Sequence, residues 1–232
     1  VSVVGMQIKD KSDELVQIRD LLDENARLKA QVDELTIQNT ELQQERYELI
    51  TLRELYELDE QYDEYEKTGA RIIARDSGNW YHSFIINKGS NQGIEVDMNV
   101  MAGSGLVGRV TEVGPDWAKV LSIIADNSNV SATLLSTEEH LIISGDLEMY
   151  SQGSIRFSQL IDRENKVAHG DKIVTSNISD KYLPGILIGY IESIDVDSNN
   201  LTKSGEIIPA VDFGHLDEVL IILDKKQTIN EE

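Results

Sequence analysis

The sequence predicts a long N-terminal helix that forms a parallel coiled coil, followed by an all-β part made of two small, similar six-stranded β-barrels. Three observations lead to this fold class. Leucine recurs at every seventh position from Leu21 to Leu49, glycine and proline are almost confined to the region after Thr68, and one glycine-containing pattern occurs twice in that region. A heptad repeat of leucine indicates a left-handed coiled coil, whereas short apolar runs between turn residues indicate strands.

The coiled-coil dimerisation helix is expected over residues 1–68, with a helix start near Ser12. When the repeated leucines are assigned to heptad position d, position a holds isoleucine, valine, two asparagines and, at its last two places, Arg46 and Arg53. Asparagine at position a favours a two-stranded parallel pairing in fixed register. The predicted dimer seam consists of Ile18, Leu21, Asn25, Leu28, Val32, Leu35, Asn39, Leu42 and Leu49. The alternative is a single amphipathic helix lying along a globular domain, although such a helix usually has a wider apolar face.

The heptad register slips after Leu49. Apolar residues continue at Leu52, Leu55, Leu58 and Tyr62 with spacings of three and four. This pattern is explained either by a stammer in the coil or by a helix that leaves its partner and packs on the next domain.

The region from Gly69 onward is predicted to be all-β. It contains all three prolines and every glycine except Gly5. About twelve short runs rich in β-branched residues are separated by turn residues, with no helical period between them. This pattern is typical of a sandwich or of barrels.

An internal repeat divides the β region into two units. Two glycines frame a short aliphatic run at Gly105 and Gly108, and again at Gly185 and Gly189. Repeated strand–turn–strand units predict two similar barrels, with Gly108 and Gly189 at the positions where a small barrel bends its strands sharply.

The expected domains follow from counting strands. The first barrel is assigned to residues 69–125 and the second barrel to residues 126–217. Because the first segment supplies only five strands, the run at 218–223 could close the first barrel, which would make the second an insertion. Residues 224–232 are expected to be a frayed polar tail.

Composition excludes several function classes. The formal net charge is −21; residues 1–68 hold 8 basic and 18 acidic residues, and residues 69–232 hold 13 and 24. Since neither part has a basic stripe, we expect no binding to nucleic acid or to an anionic membrane surface.

The absence of Cys excludes disulfides and a thiol nucleophile. No apolar run reaches the roughly 18 residues of a membrane span. Because it begins at Val1, we expect the sequence to be a fragment or a processed chain.

Candidate catalytic residues are few. Two barrels suggest a serine protease, whose triad requires a histidine beside the serine and an acid behind it. Asp76-Ser77-Gly78 superficially resembles a nucleophile loop, but Arg75 and Asn79 do not fit, and a β-turn is the better interpretation. The four histidines, which lie in no motif of this kind, are His82, His140, His169 and His215. We therefore expect no catalytic, cofactor-binding or metal-binding residues.

Two other features have alternative interpretations. His215 lies near Asp212 and His169 near Asp171, but surface loops explain these pairs better than a metal site does. The aromatic residues at 80 and 81 could anchor a partner, although packing against the end of the coil is the favoured interpretation.

A family resemblance rests on several short motifs taken together. They are Ala70–Asp76, Asn79–Tyr81, Ile86–Ser90 with Gly93, Gly105–Val110, Gly170-Asp171, and Leu183–Ile186 with Gly189. Together with the preceding coil, they make the whole chain similar to the MreC family of rod shape-determining proteins.

The resemblance implies a function. Members act at the extracytoplasmic face of the bacterial cytoplasmic membrane, anchored by one N-terminal transmembrane helix that this sequence does not contain. The implied role is a non-enzymatic homodimeric scaffold of the cell-elongation machinery that organises peptidoglycan synthases. Its implied partners are penicillin-binding proteins, MreD and the MreB system. The alternatives are a serine-hydrolase-like two-barrel enzyme and an adaptor of envelope transport.

Overall fold

The computed structural model describes residues 2–75, 82–103, 105–126 and 128–226, with side chains from Gln17 onward. The chain forms two compact units that divide between Ile50 and Thr51. The predicted fold class, a long helix followed by two closed six-stranded antiparallel barrels, is confirmed.

The first unit is a single stretch of helix. Helix α1 (Ser2–Gln61) fills it and continues into the second unit. The expected helix start near Ser12 is wrong, because Gly5 is accommodated inside α1; one glycine in a helix costs only about 1 kcal/mol relative to alanine. Within the described residues, no helix has both the length and the apolar character needed to cross a membrane.

The last turns of α1 and the turn that follows the helix are part of the barrel core. Leu58 and Tyr62 are 1% and 7% exposed and belong to the same apolar cluster as the barrel strands, and Leu55 and Tyr65 pack against it. Of the two explanations for the register slip, this burial favours a helix that packs on the next domain. The expected boundary at residue 68 assigned these side chains to the coil. We propose instead that the barrel unit begins at Thr51.

The first barrel combines five consecutive strands with the last strand of the chain. The strand order around the closed barrel is β1-β12-β3-β4-β5-β2, and all neighbours are antiparallel. The strands are β1 (Lys67–Arg75), β2 (Ser83–Ile86), β3 (Asn99–Ala102), β4 (Gly105–Val113), β5 (Ala118–Ser122) and β12 (Glu218–Ile222).

The second barrel lies in sequence between β5 and β12. Its strand order is β10-β11-β8-β7-β6-β9, again antiparallel throughout. The strands are β6 (Asn129–Leu134), β7 (His140–Ser144), β8 (Ile155–Leu160), β9 (Lys172–Thr175), β10 (Leu187–Val196) and β11 (Lys203–Pro209). A short helix, α2 (Leu147–Tyr150), precedes β8 and is capped by Asp146, which accepts a hydrogen bond from Met149 N.

The repeated glycines lie at close approaches between strands. A Cβ atom on Gly108 would overlap the carbonyl oxygen of Leu121 on β5, and one on Gly189 would overlap the carbonyl oxygen of Ile208 on β11. Both glycines adjoin register irregularities, in the β3–β4 and β9–β10 pairs. The space at both positions is therefore limited by neighbouring backbone, which cannot rotate away as a side chain can.

We expect Gly108→Ala to lower the free energy of unfolding by about 1–3 kcal/mol, because one added methyl group overpacks the β4–β5 contact. Gly69→Ala is the matched control, since a Cβ atom there meets nothing within 4 Å and should change stability little. Urea denaturation of both variants measures the difference. If Gly108→Ala and Gly69→Ala had the same urea midpoint, the close approach of neighbouring backbone would not restrict the residue at position 108.

Candidate functional site on the helix seam and at the barrel junction

The predicted seam residues lie along one continuous stretch of α1. In the single chain all nine are exposed, and the exposed fraction of their apolar side chains ranges from 48% for Leu28 to 69% for Leu21. A soluble protein rarely leaves a continuous apolar stripe of this kind uncovered. The stripe therefore fits a surface that is covered by a partner, and its assignment as a dimer seam stays a prediction.

Polar contacts along the same helix run within the chain. Gln43 Nε2 donates a hydrogen bond of 2.9 Å to Asn39 Oδ1, and Arg27 pairs with Glu24 at 2.7 Å. Both pairs are exposed and join residues three or four positions apart, where side chains on one face of a helix meet. They support the helix, whereas the apolar stripe provides the area for the predicted association.

A second candidate surface is the junction between the two barrels. Its core is Asn99 on β3, which is only 1% exposed. Asn99 Oδ1 accepts a hydrogen bond of 2.8 Å from Leu183 N, and Asn99 Nδ2 donates one of 2.9 Å to the Lys181 carbonyl oxygen. Both main-chain partners lie in the β9–β10 connection of the second barrel, so one side chain of the first barrel binds the second at two points.

The turn that follows α1 binds the same connection and the first residue of β10. Tyr62 OH accepts a hydrogen bond of 3.0 Å from Leu187 N, and Tyr65 OH donates one of 3.2 Å to the Pro184 carbonyl oxygen. Burial raises the pKa of Tyr62, so its phenol is neutral near pH 7. Gly105 on β4 also lies against Leu187 on β10, and a Cβ atom at position 105 would overlap the Leu187 carbonyl oxygen. Glycine at this position therefore allows the two strands to approach closely.

An ion pair borders the junction. Arg109 on β4 contacts Asp97 at 2.7 Å, and the neighbouring Tyr182 is 3% exposed. Burial raises the pKa of Tyr182, and the positive charge of Arg109 and a hydrogen bond with Ser128 act in the opposite direction. The ion pair lies at the partly exposed edge of the junction, whereas the hydrogen bonds of buried Asn99 join the two barrels and hold them in one arrangement.

Sequence reasoning missed the junction residues. Asn99 carries a weak signal, since it is the polar residue inside the otherwise apolar run 98–102. Tyr62 carries none beyond its apolar spacing, because its partner Leu187 is 125 residues away in sequence.

The histidines do not assemble a triad among the described residues. The contacts seen are His140 with Ser176 at 3.3 Å, His169 with Glu192 at 3.1 Å, and His215 with Asp212 at 2.7 Å. No hydrogen-bonded set in the described parts of the chain joins a serine, a histidine and a carboxylate. Ser176 is also 1% exposed, so its hydroxyl is not presented to a substrate.

The remaining candidates from the sequence are a metal site, a turn and a pair of aromatic residues. Within the described ranges, no group of three or more His, Cys, Asp or Glu could hold a metal ion. The turn at 76–79 and the aromatic residues at 80 and 81 lie outside the described residues.

Comparison with known proteins gives consistent matches. The family model described as "Rod shape-determining protein MreC, barrel core" matches residues 72–223. A relative from Bacillus subtilis, named "Cell shape-determining protein MreC", is 30% identical over 216 residues, covering 90% of this chain and 74% of the relative. A solved structure of MreC from Listeria monocytogenes has a TM-score of 0.65 and 29% identity, covering 89% of this chain and all of that one.

A more distant structure shows similarity of fold alone. It is a complex between penicillin-binding protein PBP2 and MreC from Helicobacter pylori, with a TM-score of 0.53 and 13% identity. The match covers 68% of this chain and 98% of that one.

Proposed function

Since the chain belongs to the MreC family of cell shape-determining proteins, we propose that it is a non-enzymatic dimeric scaffold of the cell-elongation machinery. The observation that carries the proposal is the exposed apolar stripe on α1, which leads directly into the barrel unit. A dimer formed along this stripe presents two copies of the same barrel pair.

The scaffold works through tethering. Joining two weak barrel–partner contacts in one dimer raises avidity by about 10²–10⁴ without any new contact. The junction supports this role, because Asn99 and Tyr62 hold the barrels of each chain together. Each chain thus offers its partner a preformed surface, whose binding need not order the barrels first.

The proposed partner is a penicillin-binding protein. The support is a related chain of the same fold, which is found in complex with PBP2 in Helicobacter pylori. MreD and the MreB system are proposed as further partners on the family resemblance alone. The same resemblance supports action at the extracytoplasmic face of the cytoplasmic membrane.

A coil exchange tests the proposal in cells whose rod shape depends on this protein. Residues 18–49 are replaced by an unrelated parallel dimeric coil of equal length. Because the proposal requires from this segment only dimerisation and length, the exchanged protein should restore rod shape.

The control for this exchange is a monomeric helix of the same length, rich in Ala, Glu and Lys. It should leave the cells round although the protein is present at normal abundance, as checked by immunoblot. Rods supported by the monomeric helix would show that dimerisation is not how the protein acts.

A further inference from the structure

A cleft lies beside the connection that runs from the second barrel back to the first. It has a volume of about 760 Å³ and is lined by residues 150–153, 209–212, 214 and 215. This volume is within the range of sites that bind a ligand or a partner's side chain, roughly 300–1,000 Å³. None of the roles proposed above uses this cleft.

The two walls of the cleft are joined to each other. Tyr150 OH accepts a hydrogen bond of 3.0 Å from Phe213 N, and the two rings meet edge to face with centroids 5.4 Å apart. This contact links the end of α2 to the residues between β11 and β12. The cleft is therefore formed before anything binds.

Asp212 supplies the charge in the cleft. Its Oδ1 accepts a hydrogen bond of 2.9 Å from Gly214 N, and its Oδ2 lies 2.7 Å from His215 Nδ1. The hydrogen bond from His215, together with that from Gly214, lowers the pKa of Asp212, so the carboxylate is ionised at neutral pH. A carboxylate has about four acceptor sites, and these two contacts leave room for another donor.

Apart from His215, which contacts Asp212, the remaining lining consists of apolar and uncharged polar residues. Pro209 and Ala210, both half-buried, provide apolar surface beside the carboxylate, whereas Val211 is buried beneath it, and none of the described lining residues is Lys or Arg. Long basic side chains have the same two-part character, with an apolar stem and a charged head. The net charge of −21 further favours a basic partner surface.

We infer that this cleft binds a lysine or arginine side chain of a partner protein, with the stem on Pro209 and Ala210 and the cationic head on Asp212. The inference rests on the proposed scaffold function only in assigning the side chain to a partner protein. Binding to the cleft can be measured on the isolated chain, without cells or a dimer-dependent readout.

The test uses NMR titration of the full chain with N-acetyl-lysine amide and, as a control probe, N-acetyl-norleucine amide, which lacks the amine. The lysine probe should shift the backbone amides of Gly153 and Gly214 in a saturable way. The norleucine probe should not. Equal binding of both probes would overturn the inference, because the charge would then contribute nothing.

Two matched variants locate the site. Asp212→Asn keeps the shape of the side chain and should weaken lysine binding about two- to fivefold, as expected for loss of one solvent-exposed ion pair. Asp195→Asn removes the same charge from an exposed position on β10 outside the cleft and should leave binding unchanged. Equal weakening by both variants would mean that the probe responds only to net charge, which also overturns the inference.

Failure here and failure of the scaffold proposal are distinguishable. If the cleft does not bind lysine but the coil exchange restores rod shape, the scaffold proposal stands and the cleft has no such role. If the cleft binds lysine but a monomeric helix also supports rods, the cleft inference stands without the dimer.

Discussion

A chain carrying Leu28→Asp and Leu35→Asp is expected to be monomeric. Each leucine contributes at least about 1.5 kcal/mol by burial at the seam, and a dimer contains four of them. The combined loss of about 6 kcal/mol corresponds to an affinity roughly 10⁴-fold weaker, before any repulsion between the new carboxylates is counted. Sedimentation equilibrium measures the change, and the barrel unit should keep its thermal transition.

Capture of a membrane-embedded penicillin-binding protein by the same double variant should weaken about 10²-fold or more, because avidity is lost.

The matched control places the same charges on the outer face of the helix. Ala30 and Ile37 lie at heptad position f, and Ile37 is 61% exposed, so Ala30→Asp with Ile37→Asp changes net charge equally. This control should stay dimeric. If both double variants dissociate alike, general repulsion rather than the seam governs association.

Removal of the helix end is expected to cause the second large effect. A chain beginning at Thr51 keeps Leu58 and Tyr62, whereas a chain beginning at Thr68 loses both. These side chains are almost fully buried, and each contributes about 1.5–3 kcal/mol through burial. The shorter chain should therefore unfold with a free energy about 3–6 kcal/mol lower, an upper estimate because unfolded chains already bury some surface. Urea denaturation measures the difference.

Point variants in the full chain test whether stability depends on the packing of buried side chains or only on the length of the helix. Leu58→Ala should destabilise the barrel unit by about 2–5 kcal/mol, as expected for a buried leucine. Leu52→Ala removes the same atoms from a residue that is 49% exposed and should change stability by less than about 0.5 kcal/mol. Equal midpoints for the chains that begin at Thr51 and Thr68 would contradict the assignment of the helix end to the barrel core.

Local periodicity explains why the fold class could be predicted from sequence. The seven-residue spacing from Leu21 to Leu49 indicates a coil, and the repeated glycines at Gly108 and Gly189 indicate two similar barrels. Glycine at these positions follows from the close approach of neighbouring backbone, a requirement that both barrels share.

Contacts between distant residues explain what the sequence did not reveal. Asn99 meets Leu183 across 84 residues, and Tyr62 meets Leu187 across 125, so no local pattern marks either pair. The predicted boundary at residue 68 places the helix end in the coil for the same reason, since the apolar spacing at Leu58 suits a helix whether its neighbour is another helix or a barrel. The cleft beside Asp212 likewise depends on Tyr150, which lies in a different part of the chain.

Oxidative cross-linking of a single cysteine tests the parallel dimer most directly. The chain contains no Cys, so Leu28→Cys introduces one thiol at position d, where a parallel in-register pair brings the two copies together. Mild oxidation should convert most of this variant to a disulfide-linked dimer, whereas Ala30→Cys, on the outer face of the same helix turn, should stay mostly unlinked. Equal, slow cross-linking of both variants would contradict the parallel seam and the scaffold built on it.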